Sequence, residues 1–202
     1  MFNPILDLFP EDYDGYLIRS DFRIGIQITL AIQDDSLTDG EKVATAFNLL
    51  YGKGYPRNYE KAYEGLKWFL SGGLEDGERE NNQTDGGQED EEDDSERKNI
   101  FDYEYDSVRL HSAFLRTYGI DLNNARLHWF KFRGLISDLG ECALSTVIEY
   151  RTKDLSDLPP KQRNEYAKLK KKYALPHKLT DEDNEKIAEF LKALDLPQNT
   201  GI

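Results

Sequence analysis

With 202 residues, 38% of them hydrophobic and 32% charged, the chain is long enough for one domain, or two small ones, around a real core. Its net charge of −13 is local: residues 75–96 hold twelve Asp and Glu against Arg79 alone, −11 of the total, which leaves about −2 for the rest and removes any argument from overall acidity. The single cysteine, Cys142, excludes an internal disulfide and suits a reducing compartment, and no charge-free run approaches the roughly 20 apolar residues that a membrane-spanning helix needs.

In chain order, the first twenty residues read as extended. Pro4 and Pro10 interrupt helix, and Asp14-Gly15 is a favoured two-residue turn between Glu11–Tyr13 and Tyr16–Arg19. No basic residue precedes Arg19, so the N-terminus does not read as a secretory leader. Phe22, Ile24, Ile26, Ile28, Leu30 and Ile32 alternate as a strand would, yet Ser20 or Asp21 would cap a helix and the run is long for a strand. Helix is the expectation. Thr38-x-x-Glu41 is a capping box opening a helix that carries Val43, Ala46, Phe47 and Leu50 and closes at Gly52. Tyr59, Ala62, Tyr63, Leu66 and Leu70 mark a second amphipathic helix, stopped by Gly72-Gly73.

Residues 74–99 carry almost nothing apolar after Leu74 and read as a disordered acidic loop, because they bury too little surface to offset their ordering entropy. A cation-binding strip or a nucleic-acid mimic is the alternative, although the ligand spacing of an EF-hand is missing. Asp102–Tyr118 then reads as a helix that is apolar over more than half its circumference, with one polar stripe of Asp102, Asp106, Arg109, Ala113 and Arg116. Helices are also expected over Asn124–Leu139, over Glu141–Thr152 with Leu144, Val147 and Ile148 inward, and from Pro159-Pro160 to Tyr173 with Tyr166, Leu169 and Tyr173 on one side. Thr180 would cap a last helix bearing Ile187, Phe190, Leu191 and Leu194, ended by Leu196-Pro197. The fold class is therefore mostly α: a helical bundle with a short N-terminal β-hairpin and a disordered acidic insert. Residues 100–175 are expected to pack with 1–73 as one domain, and 176–202 to form a C-terminal helix and tail.

On a wheel of the Asn124–Leu139 segment, Ala125, Trp129, Phe132, Leu135, Ile136 and Leu139 form one stripe, and Leu127, Phe130 and Gly134 cluster nearly opposite. A second apolar face belongs either to a helix sandwiched in the core or to a contact surface for another chain, with Gly134 permitting close approach. Leu127, Phe130 and Gly134 are the candidate partner-binding residues. His111 and His128 lie in or beside apolar stripes and suit hydrogen-bonded core positions, and neither cysteine pairs nor a His-x3-His spacing offers a zinc site. There is no Gly-x-Ser-x-Gly elbow, phosphate-binding loop or dinucleotide fingerprint, and Glu141 beside Cys142 disfavours a thiolate. No catalytic, metal or cofactor residues are assigned, and no enzyme is expected. Arg151–Lys178 holds nine Lys and Arg against three acids, a net +6 that could track a phosphate backbone. No base-reading motif accompanies it, and a solvated helix face is the expectation.

Five pieces fall in a recognisable order: Ser20-Asp21-Phe22-Arg23, Asp102-Tyr103-Glu104-Tyr105-Asp106, Tyr118-Gly119-Ile120-Asp121-Leu122, Leu127-His128-Trp129-Phe130-Lys131-Phe132 and Tyr150-Arg151. Over roughly residues 15–175 the chain resembles the bacteriophage gene-product-fifteen family of siphophages and prophages, with Phe130 where that family often has a second Trp. The resemblance implies a mostly helical tail assembly chaperone, helical also over Phe22–Ile32, encoded near the tape-measure gene. It implies as partners the long, coiled-coil-prone tape-measure protein and the tail-tube protein, and no known active-site residues. Self-association along the client is expected because a long repetitive target favours many copies bound side by side. The protein would act in the host bacterial cytoplasm and be absent from the mature virion. A structural tail component of the virion, or a phage nucleic-acid-binding regulator using residues 151–178, are the competing readings.

Overall fold

Asp14 and Gly15 both take positive φ, 50° and 82°, which is the backbone a two-residue hairpin turn demands. They join β1 (Asp12–Tyr13) to β2 (Tyr16–Leu17), and the Ile18 amide donates to the Glu11 carbonyl at 2.9 Å to extend the pairing. The computed structural model describes residues 3–54, 56–73, 100–156 and 158–176. The acidic loop and the C-terminal helix expected from Thr180 lie outside them. Within the described residues the fold is mostly helical, with this hairpin as its only sheet.

Helix α1 (Phe22–Ile32) follows, and the helical choice over the alternating pattern is correct. Asp21 caps it by accepting from the Arg23 amide, and the buried residues Phe22, Gly25 and Ile28 recur every three positions, not every two. Helix α2 (Asp39–Tyr51) starts at the Thr38/Glu41 capping box, with both reciprocal bonds formed. Helix α3 (Tyr59–Ser71) is capped by Asn58. Its inward face is Ala62, Gly65, Leu66 and Phe69, whereas Tyr59 and Tyr63 are exposed, so the stripe expected from Tyr59 and Tyr63 is rotated. Helix α3 ends at Gly72 in the left-handed conformation, and the Gly73 amide donates to the Trp68 carbonyl at 3.0 Å.

Helix α4 spans Ser107–Tyr118 and does not begin at Asp102. The Asp102 carboxylate accepts from the Glu104 and Tyr105 amides at 2.8 and 2.7 Å, closing a separate turn before the helix. Part of the stripe read as polar faces inward: Asp106 is fully buried and Ala113 is buried beside Leu110 and Phe114, while Arg116 and the apolar Val108 and Leu115 face solvent. A sequence wheel cannot show that Asp106 has a cationic partner from another helix, so it assigned a buried carboxylate to water.

Helix α5 (Trp129–Ser137) is also shorter than expected. Asp121 holds a single turn by accepting from the Asn123 amide and the Asn124 side chain, and the chain then runs extended into Leu127. There it pairs with the segment before α1: Phe22 N donates to Leu127 O at 2.9 Å and Trp129 N to Ser20 O at 2.7 Å. Helices α1 and α5 therefore start side by side and pack on each other. Helix α6 (Ala143–Thr152) is capped by Cys142 and Ser145, and buries Leu144 and Val147. Helix α7 (Pro160–Tyr173) begins with Pro in its first turn and lies against α6 through Tyr150, whose ring meets Tyr166 and Tyr173. One hydrophobic cluster runs through the molecule, from Ile18, Phe22 and Phe69 to Phe114, Phe132 and Leu144.

Candidate partner-binding surface

The three residues proposed as a second contact face are not one surface. Leu127 precedes α5 and is 8% exposed, Phe130 is 7% exposed, and only Gly134 faces solvent. The opposite face of α5 is filled from within the chain: Phe130 meets Trp68 edge-on at 5.1 Å and Phe69 at 6.1 Å. Trp129 and Phe132 form the other side, with Phe132 against Phe22 at 4.6 Å and Phe114 at 5.3 Å. The helix is sandwiched.

The sequence pieces that stood out are likewise spent on internal contacts. Arg23 donates to the carbonyls of Leu122, Asn123 and Ala125 at 2.7, 3.0 and 3.1 Å, which ties the start of α1 to the Tyr118–Leu122 piece. Tyr118 donates to the Leu135 carbonyl at 2.8 Å, and Asp121 bonds His111 at 2.9 Å. Asp106 and Arg151 join the other two pieces in a bidentate pair at 2.6 and 2.9 Å, with Arg109 on the same carboxylate at 3.0 Å. Arg151 also donates to the Ile100 and Tyr173 carbonyls at 2.9 and 2.7 Å, so one buried guanidinium fastens α4, α6, the end of α7 and the residue after the acidic loop.

His128 plays a similar part. Its Nδ1 accepts from the Phe130 amide at 3.1 Å and caps α5, its Nε2–H donates to the Pro10 carbonyl at 2.9 Å, and its ring stacks on Phe9 at 4.9 Å. Burial lowers its pKa, outweighing the Pro10 carbonyl and Glu11, which raise it. Because the unfolded chain then binds the proton more readily, this contribution to stability is full above the ordinary value near 6.5 and is lost as pH falls through the depressed one. The Phe130 amide should lose exchange protection between pH 7.5 and 5. A His128→Gln variant should show a flatter dependence of urea midpoint on pH over that range.

Cys142 corrects a sequence expectation. Burial pushes its thiol up, but the bonds from Ser145 and the Leu144 amide, with the Arg116 charge, bring it below the ordinary value, and Glu141 does not decide it. The sulfur is nonetheless buried as a helix cap, accepting from the Ser145 amide at 3.4 Å. No group of three or more potential metal ligands occurs among the described residues.

Three stretches of apolar surface stand open among the described residues. Val108 and Leu115, seven residues apart on α4, are 76% and 49% exposed. An N-terminal turn exposes Ile5, Leu6 and Leu8. A groove of about 310 Å³ runs between the end of α1, α2 and α3, lined by Ile32, Val43, Tyr63, Leu66 and Leu70 with Asp39, Lys42 and Lys67. Sequence reading passed over the N-terminal turn because three aliphatics between two prolines are too few to establish a period. The basic residues of α7 from Lys161 to Lys172 are exposed, as a solvated face requires.

A family model described as Bacteriophage Gp15 protein matches residues 6–175. The chain belongs to the bacteriophage Gp15 family. The match takes in all five sequence pieces. Among curated proteins and solved structures, none matches the chain. In this chain each of those five pieces makes contacts that join segments distant in sequence.

Proposed function

We propose that this protein is a non-enzymatic phage tail assembly chaperone that binds the tape-measure protein in the host cytoplasm and leaves before the virion is complete. Its membership of the Gp15 family supports a phage role. The observation that carries the finer reading is the exposed pair Val108 and Leu115 on α4. Two aliphatics seven residues apart lie about 10.5 Å apart along one helix face, the spacing at which a second amphipathic helix packs. A client whose own apolar stripe awaits its assembly partners is shielded by such a face, because removing apolar surface from water drives the association.

Co-expression with the tape-measure protein should raise the client's solubility and yield a complex that co-elutes. Val108→Asp with Leu115→Asp should weaken that complex by about a hundredfold while leaving the helical content unchanged. Unaltered client solubility, with no complex, would end the proposal. Mass spectrometry of purified virions separates the chaperone, which should be missing, from a permanent tail component. Neutralising Lys168, Lys170, Lys171 and Lys172 should leave the complex intact. Loss of salt-dependent nucleic-acid retention in that variant would instead favour a nucleic-acid-binding regulator.

A further inference from the structure

We propose that the N-terminal turn of one copy seats in the α2–α3 groove of a second copy, joining copies head to tail. The turn is built before any partner arrives. Asn3 accepts from the Ile5 amide through its side chain at 3.0 Å and from the Leu6 and Asp7 amides through its carbonyl at 3.0 and 2.8 Å, while Asp7 accepts from the Asn3 amide at 2.8 Å. This presents Ile5, Leu6 and Leu8 at 90%, 81% and 94% exposure. A preformed turn loses little freedom on docking. Its base is fixed by Phe9 and Pro10 on His128.

The groove offers the complement. Its apolar lining is Ile32, Val43, Tyr63, Leu66 and Leu70, and its charged rim is Lys42 and Lys67 with the single acid Asp39. The charged side chains of the arm before the hairpin turn are all acidic, Asp7, Glu11 and Asp12. Acidic arm and mainly basic rim set the orientation in which aliphatic residues enter.

Position on α3 makes the occupant a second copy. The hairpin meets α3 through Lys61, which pairs with Asp14, and through Trp68, which meets Tyr13 at 5.1 Å. The arm leaves from this side, since Phe9 stacks on His128, His128 meets Phe130, and Phe130 meets Trp68. Tyr63, Lys67 and Leu70 face the groove. At about 100° per residue, Gly65 and Trp68 lie roughly 150° around the helix from Tyr63 and Leu70. Four residues from Phe9 to Ile5 span about 14 Å only when fully extended, which is the length of a roughly 150° arc around a helix with its side chains. The bonds between Asn3 and the Ile5, Leu6 and Asp7 amides keep the segment from extending, so with its turn intact the arm falls short of its own groove. Donor and acceptor on opposite sides of α3 make a heterologous contact, which grows into rings or filaments and does not close as a dimer.

The inference is independent of the tape-measure reading, because both partners are this chain and the test uses purified protein alone. In sedimentation velocity, the full chain should grow past dimer as concentration rises. Leu6→Asp with Leu8→Asp should weaken association by at least about a hundredfold, as should Tyr63→Glu in the groove, with circular dichroism unchanged in both. An equimolar mixture of the two variants should form a dimer and stop, since only one intact arm and one intact groove remain. A wild-type chain that stays monomeric overturns the inference, as does growth that halts at dimer. Assembly indifferent to the arm variant also overturns it, and if deleting residues 177–202 then abolishes assembly, that segment is the occupant.

Discussion

Replacing Arg151 with Met should cost about 3–5 kcal/mol of folding stability, because it leaves the fully buried Asp106 carboxylate without its bidentate partner. Arg109, on the same carboxylate at 3.0 Å, offsets part of that loss and places the result toward the lower end. Arg151→Lys keeps a positive charge but cannot reproduce the fork that serves Asp106, Ile100 and Tyr173 together, so it should fall between wild type and Arg151→Met. Urea denaturation measures the difference, and hydrogen exchange should show α7 losing protection first, since the Tyr173 carbonyl is held by the same side chain. If all variants unfold within about 1 kcal/mol of wild type, the pair is not the fastener described here.

Two glycines should respond to the same substitution with opposite sign. A Cβ on Gly25 would fall inside the Trp129 indole, which is itself buried against Phe69 and Phe132 and has no space to retreat. Alanine in a helix interior is favoured over glycine by about 1 kcal/mol, while forcing an extra group into a filled core costs typically about 1–3 kcal/mol. The clash wins here because the neighbour is a rigid ring, and Gly25→Ala should lower stability by about 1–2 kcal/mol net. Gly134 lies on the exposed side of α5 with nothing within 4 Å of a built Cβ. Gly134→Ala should raise stability by about 0.5–1 kcal/mol. Thermal unfolding of the two variants beside wild type tests both signs at once.

Much of the fold was legible where the local chemistry is self-contained. The Asp14-Gly15 turn, the Thr38/Glu41 box and the Gly72-Gly73 stop each depend on residues within a few positions, and each forms as read. Three of the errors share one physical origin, which is contact between segments far apart in sequence. Asp106 looked solvated because its partner lies on another helix, and the start of α5 was placed too early because residues before Trp129 are drawn into pairing with Ser20 and Phe22. The candidate face failed the same way: Phe130 looked available only while Trp68 and Phe69 were out of view. The N-terminal turn and the groove were not legible at all, since exposure of aliphatic residues is a property of the folded surface.

The two residues flanking the acidic loop are anchored separately, Gly73 by the Trp68 carbonyl and Ile100 by Arg151. Neither anchor requires the intervening chain to be continuous. A protease cut within residues 74–99 would thus yield two polypeptides that remain one particle. The halves are held by Arg23 on the Leu122–Ala125 carbonyls, by the Phe22–Leu127 pairing and by aromatic rings contributed from both sides.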